Sequence, residues 1–296
     1  MDTQATTPSP VRRATAGTFT ILRRLMRTPM GAAGLVIVAV VLFAGVFGDL
    51  IAPHDPIALN IRERLTSPSL THILGTDQLG RDNFSRMLNG TQVALTVAFI
   101  SISLSLVTGV IVGLAAGYGP RWLDQILIVL FDTVRSFPTL MFGIAIVALI
   151  GPSLETIITV IVITTFPIYA RVVRTQTIAI KNNEFFLAER SIGVGSLRIV
   201  FTHVLPNILG QLLILASMDV PVVITIESGL SFLGLGIRPP EASWGTMLAD
   251  GYAYIRNSPW PVIAGGGPLI IATIGFTFLG EAMRDILDPK TRTNSQ

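Results

Sequence analysis

Residues 93–117 read VALTVAFISISLSLVTGVIVGLAAG. No charge interrupts them. As a helix rising 1.5 Å per residue they are long enough to cross the roughly 30 Å hydrocarbon core of a bilayer. Five further stretches are predominantly apolar and about as long, though each carries one or two charges, at 31–50, 126–150, 154–170, 208–230 and 260–282. A segment in lipid must satisfy its own backbone hydrogen bonds, so each reads as a helix. The expectation is an all-α integral membrane protein with six transmembrane helices. The first stretch follows a long basic segment and is read as a retained span rather than a cleaved signal.

The composition agrees. Of 296 residues, 50% are hydrophobic and 13% charged, and the mean hydropathy is +0.66. Soluble domains carry roughly 25% charged residues. Too few charges remain to coat a water-facing surface, which excludes an ordinary soluble enzyme, a disordered chain and, with a net charge of only +3, a nucleic-acid binder. There is no cysteine, hence no disulfide, thiolate metal site or catalytic thiol. His54, His72 and His203 show no metal-ligand spacing and read as lone polar side chains. No Gly-Lys-Ser or Gly-Lys-Thr occurs, so no phosphate loop is expected here.

Arginine and lysine set the orientation. Six spans put both termini on one side. That side then holds 14 basic residues and the other holds six, with Arg135 inside a span. The bias follows the positive-inside rule, so both termini are expected in the cytoplasm.

The longest inner loop, residues 181–198, reads KNNEFFLAERSIGVGSLR. Asn183 can cap a short helix with Glu184 in its first turn. Phe185, Ala188 and Ile192 would share one face, with Glu189 and Arg190 elsewhere. Gly193 and Gly195 would end the helix, and Ser196 would start a second one leading through Leu205 and Pro206 into the fifth span. Such an amphipathic pair either lies on lipid headgroups or docks on a protein.

The spacing of Leu187, Ala188, Glu189, Gly193, His203, Leu205 and Pro206 resembles the EAA loop of membrane subunits of ATP-binding-cassette importers. Here Leu187 and Glu189 depart from that loop's usual residues. Three more stretches resemble the C-type permease of oligopeptide, dipeptide and nickel importers. They are GTDQLGRD at 75–82, SFLGLG at 231–236 with Pro239, Pro240 and SWG at 243–245, and GEAMRD at 280–285 followed by LDP at 287–289.

This resemblance implies a permease bundle with a cytoplasmic coupling helix. Coupling to an ATPase would rest on Phe185, Phe186, Leu187, Ala188, Glu189, Arg190, Gly193, Leu205 and Pro206. The implied partners are a B-type permease forming a heterodimer, two cytoplasmic ATPase subunits that hold ATP and Mg, and an external peptide-binding lipoprotein. This chain would bind no cofactor and perform no catalysis. The implied cargo is peptide, with nickel or another small solute as the alternative. A stand-alone secondary transporter is the rival outside the family, but no inverted repeat suggests one. The expected organisation is a cytoplasmic segment at 1–30, a first helix and external loop at 31–92, a five-helix core at 93–283 with its coupling loop at 181–206, and a tail at 284–296.

Charges inside spans are costly and mark interfaces or pathways. Asp132 and Arg135 lie three apart on the third span and can pair with each other or face a partner or the pathway. Asp219 and Glu227 on the fifth span lack a basic neighbour within that span. Helical spacing offsets them by about 80°, so one polar stripe facing a partner helix or a wet cavity could hold both. Pro138, Pro167 and Pro221 predict kinks. Gly109, Gly113, Ala116 and Gly117 suit close helix contact. The 75–82 run reads as a polar loop capping the second span, or as a contact for the binding protein or B-type partner. The 231–236 run reads as a re-entrant turn or an interfacial loop.

Overall fold

A computed structural model describes residues 23–184, 186 and 191–287. The chain comprises α1 (Pro29–Ile51), α2 (Asn83–Tyr118), α3 (Arg121–Arg135), α4 (Thr139–Ile150), α5 (Leu154–Lys181), α6 (Leu205–Phe232), α7 (Trp244–Ala253) and α8 (Trp260–Leu287). Short helical turns at Ile61–Glu63 and Ser196–Ile199 accompany them. Among the described residues the only β-type pairing is an isolated bridge between Thr76 and Asp82. Among the described residues, helices α1, α2, α5, α6 and α8 are long and apolar enough to span a membrane, and the bent pair α3–α4 makes a sixth if its two halves form one span.

Local chemistry starts these helices. Thr28 caps α1, with Pro29 at its first position, where the missing N–H costs nothing. Asp82 caps α2 by accepting from the Ser85 N–H at 2.8 Å, and Ser153 caps α5 through the Thr156 N–H. Ser243 and Thr246 form a capping box on α7.

The centre of the bundle is α2 packed on α5. The expected small-residue face makes this contact. Gly109, Gly113 and Gly117 lie against Tyr169, Ala170, Val173 and Thr177 of α5. A Cβ added at Gly113 would sit 2.7 Å from the Cβ of Val173 and 3.0 Å from the Cα of Ala170. Gly113→Leu is therefore expected to lower stability by about 3 kcal/mol, because helix backbones cannot yield as a side-chain tip can. Thermal unfolding in detergent checks this against Gly210→Ala, where nothing lies within 4 Å and stability should hold.

The third span differs from expectation. In place of one kinked helix over 126–150, α3 and α4 meet at 89°. Pro138 has no N–H to continue the ladder and disfavours helical backbone at Phe137. Before it, the Thr133 and Ser136 hydroxyls donate to the carbonyls of Val129 and Asp132, at 2.8 and 2.7 Å. Helix α3 is strongly amphipathic.

The fourth span also differs. Charges from Arg171 onward end the hydropathic run, yet α5 continues to Lys181. Its buried face persists through Tyr169, Val173, Thr177 and Ile180 at helical spacing, and that face decides its length. The extension adds about 16 Å of helix.

Helix α7 was not expected. At ten residues it is too short to span. Helix α6 ends in a left-handed turn at Gly234 (φ +77°), the backbone of 231–236 closing on the Leu230 carbonyl through Leu235 N–H. The chain then folds back, and α7 packs against α6 and α8. Trp244 is fully enclosed, and its indole N–H donates to the Met87 carbonyl at 3.2 Å.

Candidate functional site

The α5–α6 connection is rooted in an apolar cluster. Tyr169, Val173 and Ile180 of α5 meet Ile199, Val200, Val204, Ile208 and Leu212, with Tyr118 at the end of α2 packed against them. Phe186 joins this cluster, 1% exposed, with its ring 6.1 Å from that of Tyr118. The Lys181 ammonium lies 5.3 Å from the centre of the same tyrosine ring. This corrects the expectation for Phe186. Its side chain is packed into the bundle and anchors the loop there.

Beyond that anchor, Phe185, Leu187, Ala188, Glu189 and Arg190 lie outside the described residues. The loop resumes at Ser191. Ile192 follows with 80% of its surface exposed. Gly193 turns the chain at φ +85° with nothing within 4 Å of where a Cβ would stand. The left-handed backbone explains the glycine, because other residues adopt it only at a cost of about 1–2 kcal/mol.

The return into α6 is a π-turn over Val200–Val204. Pro206 cannot donate to the carbonyl four residues back, and the Leu205 N–H reaches the Val200 carbonyl, five back. The Asn207 amide donates to the His203 carbonyl at 2.6 Å. Leu205 packs onto the root cluster, while Pro206 is exposed. The knuckle is thus a fixed root carrying an exposed apolar tip.

Polar latches join α5 to its neighbours. Arg174 grips Asp124 of α3 with two nitrogens, one at 2.7 Å. Arg171 pairs with Asp132, and the Gln176 amide donates to Gln211 of α6 at 2.9 Å. Of the alternatives for Asp132, pairing with Arg135 is not the one formed, because Arg171 takes that place. Arg171 belongs to the part of α5 that hydropathy did not reveal. Arg135 instead lies within electrostatic reach of Asp219.

The fifth-span carboxylates are separated by environment. Asp219 is half-buried and accepts from the Tyr169 hydroxyl at 2.7 Å, a partner that a search for basic neighbours misses. Glu227 is 0% exposed and accepts from Ser228 at 3.1 Å and Ser231 at 2.7 Å. It sits inside this chain's own packing, so the two acids do not share an accessible stripe.

At the far end of α2, residues 75–86 form a buried clasp. Asp77 accepts from the Leu79 and Arg81 N–H groups at 2.8 and 2.9 Å. Its other oxygen holds Arg81 Nε at 2.6 Å and Arg86 Nε at 3.5 Å, and Arg81 reaches Asp250 of α7 at 3.4 Å. Gly75 and Gly80 make the positive-φ turns that fold this loop inward. The run caps α2 and ties it to α7. Its charges are turned into the chain and are not displayed to a partner.

A family model described as binding-protein-dependent transport system inner membrane component matches residues 109–293. The chain belongs to this family. A second model, the N-terminal TM domain of oligopeptide transport permease C, matches residues 19–68 of the permease. The dipeptide transport system permease protein DppC of Alkalihalophilus pseudofirmus is 35% identical over 290 residues, covering 98% of this chain and 93% of that protein. The di/tripeptide transport system permease protein DppC of Pseudomonas aeruginosa is 34% identical over 265 residues, 88% of each. The permease also shares its fold with a chain of the MetNI methionine ABC transporter in inward-facing form, with a TM-score of 0.55 at 18% identity over 68% of this chain and 96% of that one. It is therefore a multi-pass inner-membrane transport component, built on the ABC importer permease fold.

Proposed function

We propose that this permease forms half of the pathway of an ATP-driven peptide importer. The B-type permease supplies the other half, two ATPase subunits bind ATP and Mg on the cytoplasmic side, and an external lipoprotein delivers the peptide. Both termini lie in the cytoplasm. The observation that carries this reading is the knuckle between α5 and α6, whose root is packed into the bundle and whose tip, Ile192, is apolar and bare. A bare aliphatic tip on a rigid root suits a socket in a partner protein. The names of the DppC relatives support peptide as cargo.

The chain needs no covalent chemistry for this task. Nucleotide closes the ATPase pair, and closure favours one orientation of the docked knuckle. A ligand shifts an equilibrium only by its differential affinity for the two states, so the knuckle must be held differently in each. Because α5 is latched to α3 by Arg171 and Arg174 and to α6 by Gln176, displacement of the knuckle moves these helices together.

Purification in mild detergent, followed by reconstitution with the lipoprotein, tests the proposal. The permease should co-elute with an ATPase and a second permease, and uptake of a labelled dipeptide should require ATP. Uptake by the chain alone, driven by an ion gradient, would point to a secondary transporter, and Ni²⁺ uptake without peptide uptake to the small-solute alternative.

Of the two fifth-span carboxylates, Asp219, paired with Tyr169, is the less buried, and peptides carry a cationic amine that it suits. Asp219→Leu is expected to leave assembly intact and lower peptide uptake about tenfold, the loss of one charge-assisted interaction. Equal uptake of acidic and basic dipeptides at wild-type rate would remove Asp219 from the pathway.

A further inference from the structure

Two of the three histidines, 18 residues apart in sequence, meet in space. The rings of His54 and His72 stack with centroids 4.7 Å apart. Both face the carboxylate of Asp82, which is buried. His72 Nδ1 lies 2.8 Å and His54 Nδ1 3.9 Å from Asp82 Oδ1. The candidate ligand atoms of the three residues all lie within 4.8 Å of one another.

We propose that His54, His72 and Asp82 bind one borderline divalent cation of the Zn²⁺ class. Two imidazole nitrogens and one carboxylate oxygen form a donor set that such ions favour, leaving a fourth position for water. Donors on a common tetrahedral ion, each about 2.0–2.1 Å from it, sit roughly 3.3 Å apart; the separations of 2.8 and 3.9 Å from Asp82 bracket that value, and the widest separation, up to 4.8 Å, closes by a turn of the exposed His54 ring.

The surroundings are arranged as ligand supports. Asp82 Oδ2 is occupied by the Ser85 N–H and hydroxyl, both at 2.8 Å, which turns Oδ1 toward the histidines. The far nitrogen of His72, Nε2, lies 3.4 Å from Glu63, the carboxylate–imidazole arrangement that fixes a ligand's tautomer. The His54 N–H donates to the same Ser85 oxygen at 3.2 Å, and the His72 N–H to Ser69 at 3.0 Å.

The three donors come from the start, middle and end of the α1–α2 connection. One ion would therefore close that whole loop onto the N-terminus of α2, opposite the coupling knuckle. Helix α2, with 36 residues, separates the two by about 54 Å. The site is thus independent of coupling.

Zn²⁺ titration of the full chain, purified in detergent and stripped with chelator, tests the proposal. Wild type should bind one more Zn²⁺ per chain than His54→Ala, and added Zn²⁺ should raise the unfolding temperature of wild type but not of His54→Ala. His54 is 40% exposed, so its truncation should leave the fold intact; His54→Gln provides a second variant. Asp82→Asn keeps the helix cap and should weaken Zn²⁺ binding at least about tenfold. His203→Gln should bind as wild type does. Equal stoichiometry and affinity in wild type and both His54 variants, or no Zn²⁺ bound by wild type, would overturn the site and leave His72–Asp82 as a plain hydrogen bond. Neither result bears on peptide transport.

Discussion

Ile192→Glu should abolish peptide uptake while the permease still inserts and folds. Ile192 is exposed and joins no core cluster among the described residues, so its replacement should leave the fold intact. In a socket, a buried isoleucine is worth about 1.5–3 kcal/mol, and an unpaired carboxylate there adds a desolvation cost. Together these weaken docking by roughly a hundredfold or more. Two readings check this in one preparation, retention of the ATPase through purification and uptake in intact cells. Ile192→Leu, of the same size and polarity, should retain both. Wild-type uptake in Ile192→Glu would mean that the tip bears no load.

Asp77→Ala has the largest effect expected on stability. One carboxylate holds Arg81 and Arg86, and all three side chains are nearly enclosed. Removing it leaves two guanidinium groups buried beside each other, with the Asp250 contact of Arg81 at 3.4 Å and the Pro56 carbonyl bonded to Arg86 at 3.3 Å left to offset them. Breaking a buried pair in this way costs about 3–5 kcal/mol. The two backbone N–H groups that Asp77 accepts from also lose their partner, so the turn at Gly80 loosens and α7 loses its tether to α2. The variant should accumulate poorly in membranes and unfold at a lower temperature in detergent. A loss below about 0.5 kcal/mol, typical of surface changes, would show that the clasp is open to water.

The membrane spans were legible because lipid imposes one demand on every segment, an apolar run of sufficient length. Residues 31–50 and 260–282 lie wholly within α1 and α8 for that reason. Where a second force governs, hydropathy misleads. The end of α5 was missed because arginines terminate an apolar run while the packed face continues beneath them. Pro138 signals an interruption, but an 89° turn depends on what α3 and α4 pack against, which a proline cannot encode.

The site was legible in outline only. Gly193 stood out because a left-handed turn needs it. Phe185 and Phe186 are indistinguishable as neighbours in sequence, yet Phe186 is an anchor, which Tyr118 decides from 68 residues away. Alternating charges in 75–82 resemble a solvated loop, and only the folded chain shows that Asp77 turns the arginines inward. His54, His72 and Asp82 lack regular spacing because three separate parts of one loop supply them.

Photo-cross-linking from position 192 in living cells tests the central claim most directly. A photoreactive residue placed there should capture an ATPase subunit, and the yield should change when ATP is depleted, since the proposed mechanism requires the knuckle to be held differently in the two nucleotide states. Capture of lipid alone, with no ATPase under either condition, would contradict a coupling role for this loop.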